Sequence, residues 1–148
     1  MNKVECSLNF MYSMERFATA VYRAQKGGFK NKAILEKLKY AIDNERQHAT
    51  NLRDGIIELG HTPTKLSLLF SMVGSLLGGL SRCLGQKLTL RTDIVIEKRA
   101  VKDYSYFLRT LELDDTTKGL IRNIITDEER HIKNWRDSIE LLQVKNES

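Results

Sequence analysis

The sequence predicts an all-α protein: a four-helix bundle with an apolar helical crossover between its second and third bundle helices. Three observations carry that prediction. Four long segments place apolar residues at steps of three and four, which is one face of a helix. Chain breakers fall between those segments. One proline and nine glycines in 148 residues leave little material for a turn-rich all-β architecture, and no segment alternates at period two. The length fits one domain, residues 1–148, with enough chain to bury a core. The 41% hydrophobic and 29% charged content is that of an ordinary globular chain.

The first helix is expected over about 6–26, with Leu8, Met11, Ala18 and Tyr22 on one stripe. "KGGFKN" separates it from a second, about 31–60, carrying Leu35, Leu38, Ile42, Leu52, Ile56 and Leu59. "GHTPT" ends that helix. The third, about 88–111, carries Leu90, Ile94, Val101, Tyr104, Leu108 and Leu111. "LDD" leads into the fourth, about 115–144, with Ile121, Ile124, Trp135, Ile139 and Leu142. Asp114 or Asp115 is placed to cap it.

Each stripe is broken in its middle by acidic or imidazole side chains. Glu15 falls between Met11 and Ala18, and Glu97 between Ile94 and Val101. Glu45 with His48 interrupts the second helix, and Glu128 with His131 the fourth. A bare buried carboxylate costs several kcal/mol, so four of them would threaten a domain stable by about 5–15 kcal/mol. Nothing basic shares those stripes. Two divalent cations would neutralise four glutamates. One Glu from each of two helices, plus Glu-x-x-His from each of the others, is the ligand set of a dinuclear carboxylate site in a helix bundle. Residues three apart share a helix face, which makes the spacing work. Carboxylate and imidazole donors suit iron, or manganese as the second choice, over structural zinc.

All three histidines have Glu at the third position before them. The third pair, Glu58 and His61, lies thirteen residues past Glu45 and His48, about 220° around the helix. It reads as a solvated helix end. Asp127 and Asn44 are each placed to reach the far ring nitrogen of a histidine on a neighbouring helix, or to be ordinary exposed polar residues. Tyr104, two turns after Glu97, is a candidate for lining a substrate pocket or for plain core. Trp135 reads as core.

Leu66 to Ser81 is sixteen residues without a charge, roughly 24 Å as a helix against about 30 Å of hydrocarbon. A transmembrane span is not expected. A ferritin-like topology needs one long connection between its helix pairs. The apolar surface is left for the fold, for a second subunit in a homodimer, or for a membrane.

The net charge of +5 comes from lysines and arginines scattered along the chain, which argues against nucleic acid as a partner. Two cysteines form no CxxC or disulfide framework and fit a reducing, cytoplasmic setting. The first twenty residues lack the apolar run of a secretion signal.

Over residues 12 to 135 the sequence resembles the demethoxyubiquinone hydroxylases, di-iron monooxygenases of ubiquinone biosynthesis. The similarity rests on "MERFATAVYRAQ", "NERQHATNL", "HTPTKLSLLFSMVGSLLGGLSRCLG", "VIEKRAVKDYSYFLRTL" and "TDEERHIKNW". "FMYSM" stands where that family has an Asp-His-Ala-Gly run. The resemblance implies two iron ions on Glu15, Glu45, His48, Glu97, Glu128 and His131, with Glu45 and Glu128 bridging. It implies insertion of one oxygen atom from O2 into a prenylated, methoxylated quinone ring. It also implies a peripheral seat on the inner face of the cytoplasmic membrane through residues 66–81. No flavin or nicotinamide fingerprint is present, so the electrons are expected from an external donor. The alternatives are a rubrerythrin-like peroxidase or oxygen scavenger and, further off, ferritin-type iron storage.

Overall fold

A computed structural model describes residues 2–144. Five helices account for nearly all of them: α1 (Lys3–Gln25), α2 (Lys32–Glu58), α3 (Leu66–Ser81), α4 (Gln86–Thr110) and α5 (Asp115–Val144). There is no strand among the described residues. Local chemistry sets the helix starts. Asn2 caps α1 by accepting from the Glu5 amide at 2.8 Å, and Asn31 caps α2 through the Ala33 amide at 2.9 Å. Asp114, of the two candidates, caps α5, taking the Thr117 amide at 2.8 Å. Gly60 ends α2 with a φ of 77°, which places the His61 amide on the Ile56 carbonyl. The α2 stripe is shorter than expected, because Leu59 lies at that end and is exposed.

α1, α2, α4 and α5 form the bundle. α1 runs antiparallel to α4, as the pairing of Tyr22 with Glu97 and of Tyr104 with Glu15 requires, and to α2, since Leu8 clusters with Ile56 and Tyr22 with Ile34 and Leu38. α3 carries the chain back along α1, so that α2 and α4 point the same way. Its residues meet α1 in ascending order: Ser67 at Arg16, Gly74 at Phe17, Gly78 at Val21.

That contact explains the glycines of α3. A Cβ at Gly74 would stand 2.6 Å from the Phe17 carbonyl oxygen, and one at Gly78 would collide with the Val21 carbonyl. Ser67, Gly74 and Gly78 are buried against α1, and Ser81 is buried on the same stripe. The other side of α3 is bare: Leu66, Leu68, Leu69, Met72, Val73, Leu76, Leu77 and Leu80 are all exposed. Phe70 is half-buried. A 3-10 turn extends the apolar run to Leu84, 19 residues with a mean hydropathy of 1.4. By length and composition alone that longer run, which takes in Arg82, suffices for a bilayer, while the charge-free helix itself keeps the sixteen residues expected. Its small-residue stripe nevertheless lies along α1.

The bundle interior has two apolar clusters. One gathers Leu8, Met11, Leu52, Ile56, Ile121 and Ile124; the other gathers Val21, Ile34, Leu38, Ile42, Leu90 and Trp135. Trp135 is fully buried, as expected. Between them lies a polar layer.

Candidate metal centre

The polar layer is made of the six side chains that break the stripes. Glu15, Glu45, His48, Glu97, Glu128 and His131 are all buried, none more than 4% exposed. The helix spacing that points them inward also converges them. Ligand atoms of Glu15, Glu45, His48 and Glu128 lie within 4.8 Å of one another, and so do those of Glu45, Glu97, Glu128 and His131. Glu45 and Glu128 belong to both sets. Both imidazoles present Nδ1 to the carboxylates. His48 Nδ1 is 3.3 Å from Glu15 and 3.4 Å from Glu128. His131 Nδ1 is 3.0 Å from Glu45 and 3.1 Å from Glu128.

Both carboxylate oxygens of Glu45 and Oε1 of Glu128 are buried without a hydrogen bond. Such atoms cost free energy unless something else satisfies them. A pair of divalent cations fits the donors. Hard oxygen ligands and two imidazoles surround them, and no thiolate competes, because Cys6 and Cys83 are both exposed. The cluster is therefore a candidate metal site.

The profile of the family described as ubiquinone biosynthesis protein COQ7 matches residues 9–143. The chain belongs to that family. The 3-demethoxyubiquinol 3-hydroxylase of Alcanivorax borkumensis is 25% identical over 122 residues, which is 82% of this chain and 56% of that protein. The chain thus spans little more than half the length of this relative. Among solved structures, the dodecameric thioferritin of Bacteroides fragilis, a bacterioferritin-related protein, superposes with a TM-score of 0.77. It is 21% identical and covers 95% of this chain and 86% of its own. That likeness shows the ferritin-like fold.

In this COQ7-family chain the environment of the cluster is that of charges held together without water. Burial raises the pKa of Glu45, with the neighbouring Glu15 carboxylate adding to it. Burial also raises that of Glu97, with Glu128 adding. For His48 burial works against the charged ring, but the close carboxylates of Glu128, Glu15 and Glu45 outweigh it and raise the pKa well above the ordinary value. His131 behaves the same way, through Glu128, Glu45 and Glu97. A cation on Nδ1 would take the place of that proton.

Asp127 meets the far nitrogen of a histidine, as the sequence suggested. Its Oδ2 lies 3.1 Å from His48 Nε2, which directs the proton to Nε2 and frees Nδ1. Asn44 reaches no histidine. Its Nδ2 donates to Asp127 Oδ2 at 3.3 Å and so braces that carboxylate. Asp127 keeps a lowered pKa: partial burial raises it, but His48, Asn44 and then Arg130 outweigh that. Glu58 is exposed, and His61 lies 3.8 Å from Glu5, remote from the cluster.

Tyr104 is sealed in the core, and its hydroxyl donates to Glu15 Oε1 at 2.5 Å. Tyr22 is a site residue that the stripe reading assigned only to core. It is fully buried and its hydroxyl donates to Glu97 Oε1. Burial raises both phenol pKa values, with Glu97 next for Tyr22 and Glu15 next for Tyr104, so both stay protonated as donors. A sequence signal for this existed. "ERFATAVY" and "EKRAVKDY" share Glu, a base, Ala at the third position on and Tyr at the seventh. Each Tyr serves the Glu of the other helix.

Proposed function

We propose that the chain is a di-iron carboxylate hydroxylase that adds one oxygen atom from O2 to the ring of a prenylated quinone. The observation that carries this reading is the pair of overlapping four-ligand sets sharing Glu45 and Glu128. The hydroxylase activity is that of the relative, and family membership supports its transfer. Two ferrous ions, or manganese in their place, would supply the redox chemistry with O2. The chain's part is to hold and to exclude. Glu15 and Glu97 each belong to one ligand set, and each is fixed by a tyrosine hydroxyl from the opposite helix. The two apolar clusters keep bulk water away from both ends of the polar layer. Asp127 holds the His48 ring in one tautomer.

The quinone is an apolar molecule and needs an apolar approach. A cavity of about 200 Å3 opens between α1 and α3, lined by Met14, Phe17, Leu69, Phe70 and Val73. Met14 precedes the ligand Glu15 in the chain. The exposed leucines of α3 continue this cavity onto the surface. That surface is suited to a peripheral seat on the cytoplasmic side of a membrane, from which a lipid quinone reaches the cavity. Electrons come from an external donor.

The test combines turnover with flotation. Iron-loaded protein, a chemical reductant and a demethoxyquinone in liposomes should give the hydroxylated ring with one 18O from labelled O2. Wild-type protein should float with the liposomes, and Met72→Asp with Leu76→Asp should lose flotation while keeping iron. These two positions are exposed and line no part of the cavity. Peroxide consumption without ring hydroxylation, in a protein that never floats, would replace this reading with the peroxidase.

A further inference from the structure

A second concavity lies on the outer side of α1 and α2, where α3 forms its third wall. Its volume is about 340 Å3, within the range of small-molecule sites. Four arginines line it: Arg16 and Arg23 from α1, Arg46 and Arg53 from α2. No Asp or Glu is among its lining residues.

The sequence builds this trough by repetition. "RFATAVYR" and "RQHATNLR" both read Arg, two residues, two small residues, two residues, Arg. The spacing i, i+3, i+4, i+7 puts each set on one helix face. Thr19 and Ala20 of α1 and Ala49 and Thr50 of α2 are small enough to form a floor between the arginines. Because α1 and α2 are antiparallel, Arg23 and Arg53 stand towards opposite ends, with Arg16 and Arg46 between.

The arginines are short of anions. Arg53 pairs with the exposed Asp54, Nη2 to Oδ1 at 2.8 Å. Arg16, Arg23 and Arg46 make no ion pair among the described residues. Arg16 is held in place by other means. Its Nη1 is 3.3 Å from Ser67 Oγ and 3.4 Å from the Tyr12 hydroxyl, and the guanidinium lies 5.9 Å from the Tyr12 ring centre. Thr19, Thr50 and Ser71 donate their hydroxyl protons to helix carbonyls. The donors that point to a ligand are therefore guanidinium groups, which match phosphate oxygens in charge and in fork geometry. Four like charges around one trough repel one another, and a polyanion relieves that repulsion.

We propose that this trough binds a phosphate ester or diphosphate group, gripped by Arg16 and Arg46 with Arg23 and Arg53 at its ends. The site stands on α1, α2 and α3 alone and does not depend on the metal chemistry. A soluble phosphorylated metabolite and an anionic lipid headgroup share the chemistry, and α3 also carries the exposed leucines.

Calorimetric titration of the iron-loaded chain with ADP, using adenosine as the uncharged control, tests the first source. Flotation with phosphatidate vesicles against phosphatidylcholine vesicles tests the second. Iron content is measured after each titration. Arg16→Gln with Arg46→Gln should weaken ADP binding or phosphatidate flotation at least about tenfold, since each charge-assisted bond carries about that much. Arg91→Gln with Lys98→Gln on α4 removes the same charge elsewhere and should leave binding intact. Arg46→Gln alone, which touches no ion pair, should give a smaller loss in the same direction and guards against damage to the α1–α3 contact. Arginine-dependent ADP binding assigns a soluble ligand, and arginine-dependent flotation without ADP binding assigns a headgroup. The proposal is overturned if adenosine binds as well as ADP with no arginine-dependent flotation. It is equally overturned if the trough and control pairs lose binding alike, or if neither probe responds to the arginines.

Discussion

The two halves of the bundle, α1 with α2 and α4 with α5, carry the same pattern and finish it differently. Glu15 and Tyr22 correspond to Glu97 and Tyr104. Asn44, Glu45, His48 and Asn51 correspond to Asp127, Glu128, His131 and Asn134. The Glu–Tyr hydrogen bonds cross between the halves in both directions. Outside the six convergent side chains the correspondence breaks in two places. Asp127 engages His48 Nε2, whereas its counterpart Asn44 only braces Asp127, and His131 Nε2 has no hydrogen bond at all. Asp93 pairs with Gln25 at one end of the bundle, whereas the corresponding residues at the other end are Met11 and Phe107, part of an apolar cluster. What stays paired is what charge balance needs. What diverged is what tunes each side.

The largest expected effect removes the shared feature altogether. Glu97→Ala and His131→Ala should each lose most bound metal and activity, whereas Glu58→Ala and His61→Ala should lose neither. Metal analysis of the four purified variants decides it, and metal loss in the second pair as deep as in the first would sink the ligand assignment. Stripping the metal from the wild type should also lower its stability by at least a few kcal/mol. Four carboxylates would then face one another, and some would have to take up protons; a ligand of the native state alone also stabilises it by mass action. Equal urea midpoints with and without metal would contradict this.

The next effect tests the polar end of the bundle. Burial raises the Asp93 pKa to about 7, against a partly opposing hydrogen bond from Gln25. Gln25 Nε2 donates to Asp93 Oδ1 at 2.8 Å, while Gln25 Oε1 and Asp93 Oδ2 are left without partners. A protonated Asp93 can donate from Oδ2 to that free oxygen and complete the pair. The folded chain therefore holds a proton that the unfolded chain releases near pH 4. Stability from this group is full below that pH, falls as pH rises, and is lost above about 7. Asp93→Asn offers the same two hydrogen bonds without a charge. It should be more stable than wild type at pH 8 by at most about 4 kcal/mol, with the gap closing towards pH 5. Urea midpoints of both metal-loaded proteins across that range measure it. A gap that does not change with pH would mean that Asp93 stays ionised throughout.

The sequence already contained the helices, the crossover and the six convergent side chains. All of them follow from periodicity along single helices, which a one-dimensional pattern preserves. Leu66–Ser81 has the bounds that its lack of charge suggested. Pairings between helices were less legible. Tyr22 looks like any stripe residue until its partner on α4 is known, although the repeated Glu and Tyr spacing hinted at it. Asp93 also lies on the inner face of α4, one turn before Glu97, and its solution is a glutamine 68 positions away. The arginine trough is not legible in the sequence, because its two halves are each an ordinary solvated helix face and only the antiparallel packing of α1 and α2 joins them.

The smallest effect addresses the asymmetry around the histidines. A carboxylate on the far nitrogen of a ligating imidazole fixes its tautomer and raises its basicity, and losing such a partner typically costs about 10–100-fold in metal affinity. Only His48 has one. Asp127 is also half-buried beside a cavity of about 360 Å3 that reaches His48, whereas His131 is fully enclosed and packs near Trp135, with ring centres 6.5 Å apart. Asp127→Asn should therefore weaken binding on the His48 side by about that factor and leave the His131 side nearly unchanged. Chelator titration would then resolve two classes of ion where the wild type shows a narrower spread. Asn44→Ala should give the same signature in weaker form, since Asn44 acts only through Asp127. If Asp127→Asn weakens both ions equally, the two sides are coupled through Glu45 and Glu128 more strongly than either is tuned by its own surroundings, and the asymmetry of the histidines carries no functional difference.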